Sequence, residues 1–209
     1  QPILEIKVTD GKPGAGPSPL VLEFAHAEIE DGPMGYLIED RFLRDALLAA
    51  ISAESRITAI NGATIIAQDT NGPFATATLD SGEVLSAQLI LGCDGRKSAT
   101  ATRAGVKRSG WAYGQTALVC AVAHDRPHHG IAHQFFMPAG PLAILPLPGN
   151  RCSIVWTEES KNAARIQALS ESEYLEELRP RFGDFLGDIA LAGSRFSYPL
   201  GLTLAEYLR

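Results

Sequence analysis

Residues 88–91, Gln-Leu-Ile-Leu, run without a polar break into Gly92-Cys93-Asp94-Gly95-Arg96-Lys97-Ser98. This pattern constrains the fold more than any other. A continuous apolar run is what a strand shows when both faces are covered. An Asp-Gly pair at the carboxyl end of such a strand, with a Ser placed to cap the next helix, marks where an open α/β sheet meets a charged cofactor. Gly95 permits close backbone approach, and Asp94 can accept hydrogen bonds from ribose hydroxyls or from water around a pyrophosphate.

The strands leading into this run form a meander. Segments 63–68, 74–79 and 83–91 alternate in character and are joined by Asn71-Gly72 and Asp80-Ser81-Gly82, both tight-turn signals. Upstream, Asp40 suits a helix N-cap, and Leu43, Leu47 and Ile51 recur at helical spacing over 40–51, leaving Arg41, Arg44 and Asp45 mainly on the solvated side. At the start of the chain, strands over 4–9 and 20–24 flank a Gly/Pro-rich stretch, so a hairpin with a long tip over 11–19 is predicted. Gly14-Ala15-Gly16 in that tip is no dinucleotide fingerprint, because Pro17 and Pro19 prevent a helix from starting on schedule.

Downstream of a short helix over 98–104, a second β-rich block is expected, with strands over 115–123, 132–137, 142–145 and 152–156 punctuated by Gly and Pro. Ser170 with Glu173 makes a capping box for a helix ending at Pro180, and a last extended piece holds Phe196 to Leu200. Period-two alternation sends Phe135 and Phe136 to opposite faces. Of the aromatic residues in this block, Phe136 and Trp156 are the candidates for the wall of an apolar substrate pocket, against a plain core role.

Composition removes several classes. The 209 residues carry a formal charge of -6 with no basic run, which argues against a nucleic-acid partner. Cys93, Cys120 and Cys152 are too dispersed for a disulfide framework or zinc ribbon, so a reducing cytosol fits. His124, His128, His129 and His133 cluster in sequence, but Pro127 and Gly130 break the helix that would align them, so no metal site is expected. There is no G-x-S-x-G, H-E-x-x-H or P-loop, and no segment reads as a spanning helix. The chain opens on Gln1-Pro2 as though already inside a strand and closes on Leu204 to Arg209, ends expected of a central segment of something longer.

The run from Leu89 to Ser98 resembles the second flavin motif of the class A FAD-dependent aromatic hydroxylases, in which a DG pair contacts FAD and the NAD(P)H path. Ala132-His133-Gln134-Phe135-Phe136, Gly140 to Leu147, Arg151 to Trp156 and Tyr198-Pro199-Leu200 narrow the resemblance to the ubiquinone-biosynthesis hydroxylases of the 2-octaprenyl-6-methoxyphenol hydroxylase type. The resemblance covers nearly the whole chain. It departs at Ala101, where the family carries Arg, and Arg103 follows two positions later.

The resemblance implies an α+β fold: a mixed β-sheet substrate domain, with the meander leading into part of a Rossmann-like FAD-binding domain of the p-hydroxybenzoate-hydroxylase-like fold. Residues 1–30 would start the substrate sheet, 31–110 belong to the FAD-binding domain, 111–200 complete the substrate domain, and 201–209 return toward the FAD-binding domain. It implies a flavin monooxygenase using FAD and NAD(P)H to hydroxylate a polyprenylated phenol, with Asp94, Gly95 and Arg41 as cofactor residues; Arg41 matches an Asn-Arg pair of the family, here Asp40-Arg41. No residue is assigned as acid or base. The implied setting is cytoplasmic, with peripheral membrane contact or a ubiquinone-biosynthesis complex as partners. Two alternatives stay open: a non-catalytic module binding an apolar ligand or protein, and a related flavoprotein acting on another aromatic substrate.

Overall fold

A computed structural model describes residues 1–28 and 32–207. The chain divides into two units, Gln1–Arg44 with Ala112–Leu202 and Asp45–Trp111 with Thr203–Arg209. The expected first boundary at 30/31 touches residues outside the described ones, as do the last two residues of the expected closing segment.

The first unit is built on an 8-stranded mixed sheet. Its strands are β2 (Glu5–Lys12), β3 (Gly16–Ala25), β8 (Arg108–His124), β9 (Ile131–Met137), β10 (Gly140–Leu147), β11 (Arg151–Glu159), β12 (Ile189–Leu191) and β13 (Phe196–Ala205). The order is β12-β8-β11-β10-β9-β2-β3, with β13 also on β8. The pairing of β2 with β9 is parallel, whereas β8 to β11 form antiparallel ladders. A small ladder joins β1 (Pro2–Ile3) to β4 (Gly35–Tyr36).

Alternation along these strands sorts the side chains. Cys152, Ile154 and Trp156 of β11 are buried on one face with Leu118, Cys120 and Val122 of β8. Register sets Phe135 beside Leu142, Leu142 beside Trp156 and Trp156 beside Leu118, one apolar row across the sheet. Helices α3 (Ser160–Gln167) and α4 (Glu171–Phe182) cover this face with Ala163, Ile166, Tyr174, Leu178 and Phe182, each at most 1% exposed. Each large apolar side chain so buried contributes roughly 1.5–3 kcal/mol. α3 does not stand out in the sequence, because its eight residues span only about two turns, with Ala163 and Ile166 the buried positions.

The capping box of α4 forms as predicted: Ser170 Oγ accepts from the Glu173 N–H and Glu173 Oε2 accepts from the Ser170 N–H. The helix does not stop at Pro180. It runs on to Phe182 although Pro180 has no N–H to give the Glu176 carbonyl, because Phe182 buries against the same face as Tyr174 and Leu178. Gly183, at φ 81°, ends it.

The N-terminal hairpin is also longer than expected, and its tip is short. β2 and β3 stay paired out to Lys12 and Gly16, with a bulge between Thr9 and Gly11. Pro17 and Pro19 are tolerated because β3 is an edge strand. Thr9 Oγ1 donates to the Leu20 carbonyl at 2.9 Å and knits the irregular stretch.

The second unit holds the predicted antiparallel meander, β5 (Ile65–Asp69), β6 (Ala75–Leu79) and β7 (Val84–Ala87), and the five-residue helix α2 (Ala99–Arg103). Gln68 fastens α2 to β5: its Nε2 donates to the Thr100 carbonyl at 3.1 Å and its Oε1 accepts from Arg103 Nε at 3.1 Å. Residues 88–92 do not form the buried strand expected of them. Leu89 and Leu91 are 68% and 75% exposed, because no described strand lends its backbone to them and a parallel strand cannot exist without neighbours. Helix α1 (Asp40–Ala53) forms as predicted, but the expected cap shifts by one: Asp40 is the first helical residue, and the Glu39 carbonyl accepts from the Phe42 N–H. Its apolar stripe is likewise uncovered, with Leu43 and Leu47 exposed. No described helix is long and apolar enough to cross a membrane.

Candidate functional site

The Asp94–Gly95 turn lies in the second unit and is held by its own acid. Asp94 Oδ1 accepts from the Ser98 hydroxyl, and Oδ2 accepts from the Thr100 N–H at 2.9 Å and the Thr100 hydroxyl at 3.0 Å. Ser98 in turn caps α2 by accepting from the Ala101 N–H at 2.9 Å. These donors, the Ser98 hydroxyl foremost, hold the Asp94 carboxyl far below the usual carboxylate range. The acid is therefore a fixed, ionised organiser of the turn.

Gly95 stands at φ 77°, a conformation that favours glycine, and nothing lies within 4 Å of where a Cβ would point. Gly92 is different, since a Cβ there would meet Thr100 Cγ2 at 2.8 Å, so its hydrogen lets the turn pack on α2. The turn thus offers open space beside a glycine and a fixed negative charge, which fits one edge of a nucleotide cofactor such as FAD. Arg108 braces the same turn, donating to the carbonyls of Arg96 at 3.0 Å and Ser98 at 3.1 Å, a role the sequence does not reveal.

Arg41 belongs to the first unit. It pairs with Glu39 at 2.9 Å and lies over the Phe42 ring, with its guanidinium carbon 4.6 Å from the centroid. Glu39 also takes Arg151 at 2.7 Å, and the Arg151 hydrogen bond is the main reason that its carboxyl titrates below the ordinary range. Arg41 is largely exposed, and Glu39 already neutralises part of its charge.

The two expected wall residues part company. Phe136 is 56% exposed, on the sheet face opposite α3 and α4, where Ala143 and Val155 are also only half-buried. Trp156 is 1% exposed on the helix-covered face. Its ring packs against Tyr174 at 5.9 Å and under Arg181 at 4.6 Å, and its indole N–H donates to Glu158 at 3.0 Å. Trp156 therefore moves from the expected substrate wall to the core: register opposite Leu142 and Leu118 fixes its face.

The histidines serve local roles. His124 is buried, with Nδ1 2.7 Å from the Arg126 carbonyl and Nε2 3.3 Å from Cys152 Sγ, and burial pushes the Cys152 thiol up to about 12. His128 Nε2 donates between the carbonyls of Leu147 and Gly149, at 2.8 and 3.0 Å. Among the described residues no group of three or more His, Cys, Asp or Glu is placed to hold a metal ion.

No family profile matches the chain. Curated proteins do. Over 99% of its length the chain is 45% identical to ubiquinone hydroxylase UbiL of Rhodospirillum rubrum, of which it covers 47%. It is 29% identical to 3-demethoxyubiquinol 3-hydroxylase of Escherichia coli over 83% of the chain and 44% of that protein. The chain thus spans about half the length of the curated relatives it matches. Among solved structures, PqsL of Pseudomonas aeruginosa, described as a probable FAD-dependent monooxygenase, superposes with a TM-score of 0.69 at 18% identity, over 85% of this chain and 48% of that one. The fold is that of the p-hydroxybenzoate-hydroxylase-like flavoproteins, as expected.

Proposed function

From a chain homologous to about half of a ubiquinone-biosynthesis hydroxylase, we infer that the whole protein is a flavin-dependent monooxygenase that hydroxylates a polyprenylated phenol. The observation that carries this reading is the 45% identity to a ubiquinone hydroxylase along 99% of the chain. Bound FAD, reduced by NAD(P)H, would supply the oxygen-activating chemistry.

The chain's own residues support and orient. The Asp94–Gly95 turn provides a cofactor edge: Gly95 lets the backbone approach, and Asp94 fixes the turn through Ser98 and Thr100 while its charge faces solvent. Arg41, steered by Glu39, is a second cofactor contact in this reading. The open sheet face with Phe136, Ala143 and Val155 supplies an apolar wall that would take the substrate ring and keep water from it. Trp156 stiffens that wall from the opposite face. No described side chain on the wall is placed as a general base, so a phenol would rely on its own electron-rich ring.

The reading puts the protein in the cytoplasm, meeting its prenylated substrate at a membrane surface or in a complex of ubiquinone-biosynthesis enzymes. The test uses the full-length protein with FAD, NAD(P)H and a prenylated phenol. Phenol-dependent NAD(P)H oxidation and a product one oxygen atom heavier are expected. Oxidation with soluble aromatic acids alone would favour a different flavoprotein, and no flavin binding would favour a non-catalytic ligand-binding module.

A further inference from the structure

On the sheet face opposite Phe136, the first unit carries a partly open cavity of about 500 Å³, within the size range of small-molecule sites. Its floor is the sheet. Glu23, Lys7 and His133 stand in register across β3, β2 and β9, and Val21, Thr9 and Phe135 form the next row. Its roof is the end of α4 and the turn after it, with Phe182 and Phe185. The hairpin tip closes one end, where the Gly14 N–H donates to the Pro180 carbonyl at 2.6 Å.

Aromatic rings dominate the interior. The His133 and Phe185 centroids are 4.6 Å apart, Phe182 stacks on Phe185 at 5.5 Å and 18°, and Phe135 stacks on His133 at 6.0 Å and 7°. Such a lining suits a flat ring. Its polar groups are mostly matched: Lys7 pairs with Glu23 at 3.0 Å and with Glu5 at 3.9 Å, and Thr9 donates to Leu20.

His133 is the exception. Its ring lines the cavity, stacks on Phe135 and meets Phe185 at a tilt of 52°, yet makes no hydrogen bond with any described residue. Burial, and to a lesser degree the nearby Lys7 charge, push its pKa down to about 4, so the imidazole is neutral and offers one donor and one acceptor. A half-buried polar group in an apolar site is satisfied by a ligand that brings the matching hydroxyl. Lys7, the cation beside His133, is already balanced by two carboxylates, and Lys12 and Arg179, which also line the cavity, are exposed, so the group next to the imidazole suits a hydroxyl better than a carboxylate.

We propose that this cavity binds a phenol or hydroquinone ring, stacked among Phe135, Phe182 and Phe185, with its hydroxyl hydrogen-bonded to His133. The site does not depend on the proposed function, since it needs no flavin and lies across the sheet from Phe136.

Isothermal titration calorimetry on the purified chain tests it, with 4-propylphenol as probe and 4-propylanisole and 4-propylbenzoate as comparisons. The phenol is expected to saturate one site, and the ether and the benzoate to bind about tenfold more weakly, the scale of one lost hydrogen bond. His133→Leu should bring the phenol down to the ether's affinity. Val21→Trp, at a position 41% exposed and so tolerant of size, should block both by filling the cavity. Phe136→Ala should change neither. Equal affinity for phenol and ether, tighter binding of the benzoate, full binding by His133→Leu or Val21→Trp, or loss of binding in Phe136→Ala would each overturn the assignment; the last would instead place the ring on the wall of the proposed function.

Discussion

Asp94 grips Thr100 twice, accepting from its backbone N–H at 2.9 Å and from its hydroxyl at 3.0 Å through the same oxygen. The other oxygen holds Ser98, so one exposed carboxylate ties the Gly-rich turn to the first turn of α2. Asp94→Ala should therefore speed amide exchange at Thr100 and Ala101 while leaving the β5–β7 meander protected. Ser98→Ala should fray the same helix, at about 1 kcal/mol for a lost cap. Exchange measured residue by residue checks both, and unchanged rates at Thr100 would remove the organising role given to Asp94.

His133 makes stability depend on pH. Its pKa is about 4 in the folded chain against 6.5 for an ordinary, solvated histidine, so the unfolded chain binds the extra proton first as pH falls. The stability that neutral His133 permits is whole above pH 6.5, declines as pH falls from 6.5 to 4, and stops declining below 4, a loss on the order of 2–3 kcal/mol. His133→Phe should flatten that part of a urea-midpoint profile. His124, whose pKa burial also lowers, should keep the remaining slope.

Glu158 is the hub of a buried polar cluster. Its carboxylate accepts from Trp156 at 3.0 Å, Asn162 at 2.9 Å and Arg181 at 3.2 Å, with its side chain only 5% exposed. Glu158→Ala should cost about 3 kcal/mol, because Arg181 Nη2 and the indole N–H lose their acceptor, while Arg181 Nη1 keeps the Glu177 carbonyl. Glu158→Gln keeps an acceptor and should cost less. Chemical denaturation of the variants gives the comparison.

Gly92 is required by contact with one methyl group. A Cβ at position 92 would lie 2.8 Å from Thr100 Cγ2, so Gly92→Ala should disturb the turn, and adding Thr100→Ser, which deletes that methyl but keeps the hydroxyl for Asp94, should recover part of the loss. A double-mutant cycle read by thermal unfolding decides; strict additivity would show that the clash is not what constrains position 92.

Much of the fold is legible in the sequence because its signals are local. The Gly82 turn, the Ser98 cap and the Ser170/Glu173 box act within a few residues, and each appears where the residues predict it, whereas Asn71-Gly72 falls in a wider connection over 70–74 rather than a tight turn. Expectation and structure differ where distant partners decide. Pro180 reads as a helix end, yet Phe182 finds the core beyond it, and residues 11–19 read as a loop, yet β2 and β3 pair across them. Leu89 and Leu91 read as a buried strand, but burial belongs to whatever pairs with them.

The sequence by itself determined the alternation of the strands, the capped helices, the meander and the Asp94–Gly95 turn, since these follow from backbone preference and short-range hydrogen bonds. Only the tertiary structure decided that β2 runs parallel to β9, that Trp156 faces the helices while Phe136 faces outward, and that Lys7 and His133 stand side by side over a cavity. Those outcomes depend on register between segments far apart in the chain, where a shift of one residue exchanges the two faces of a strand.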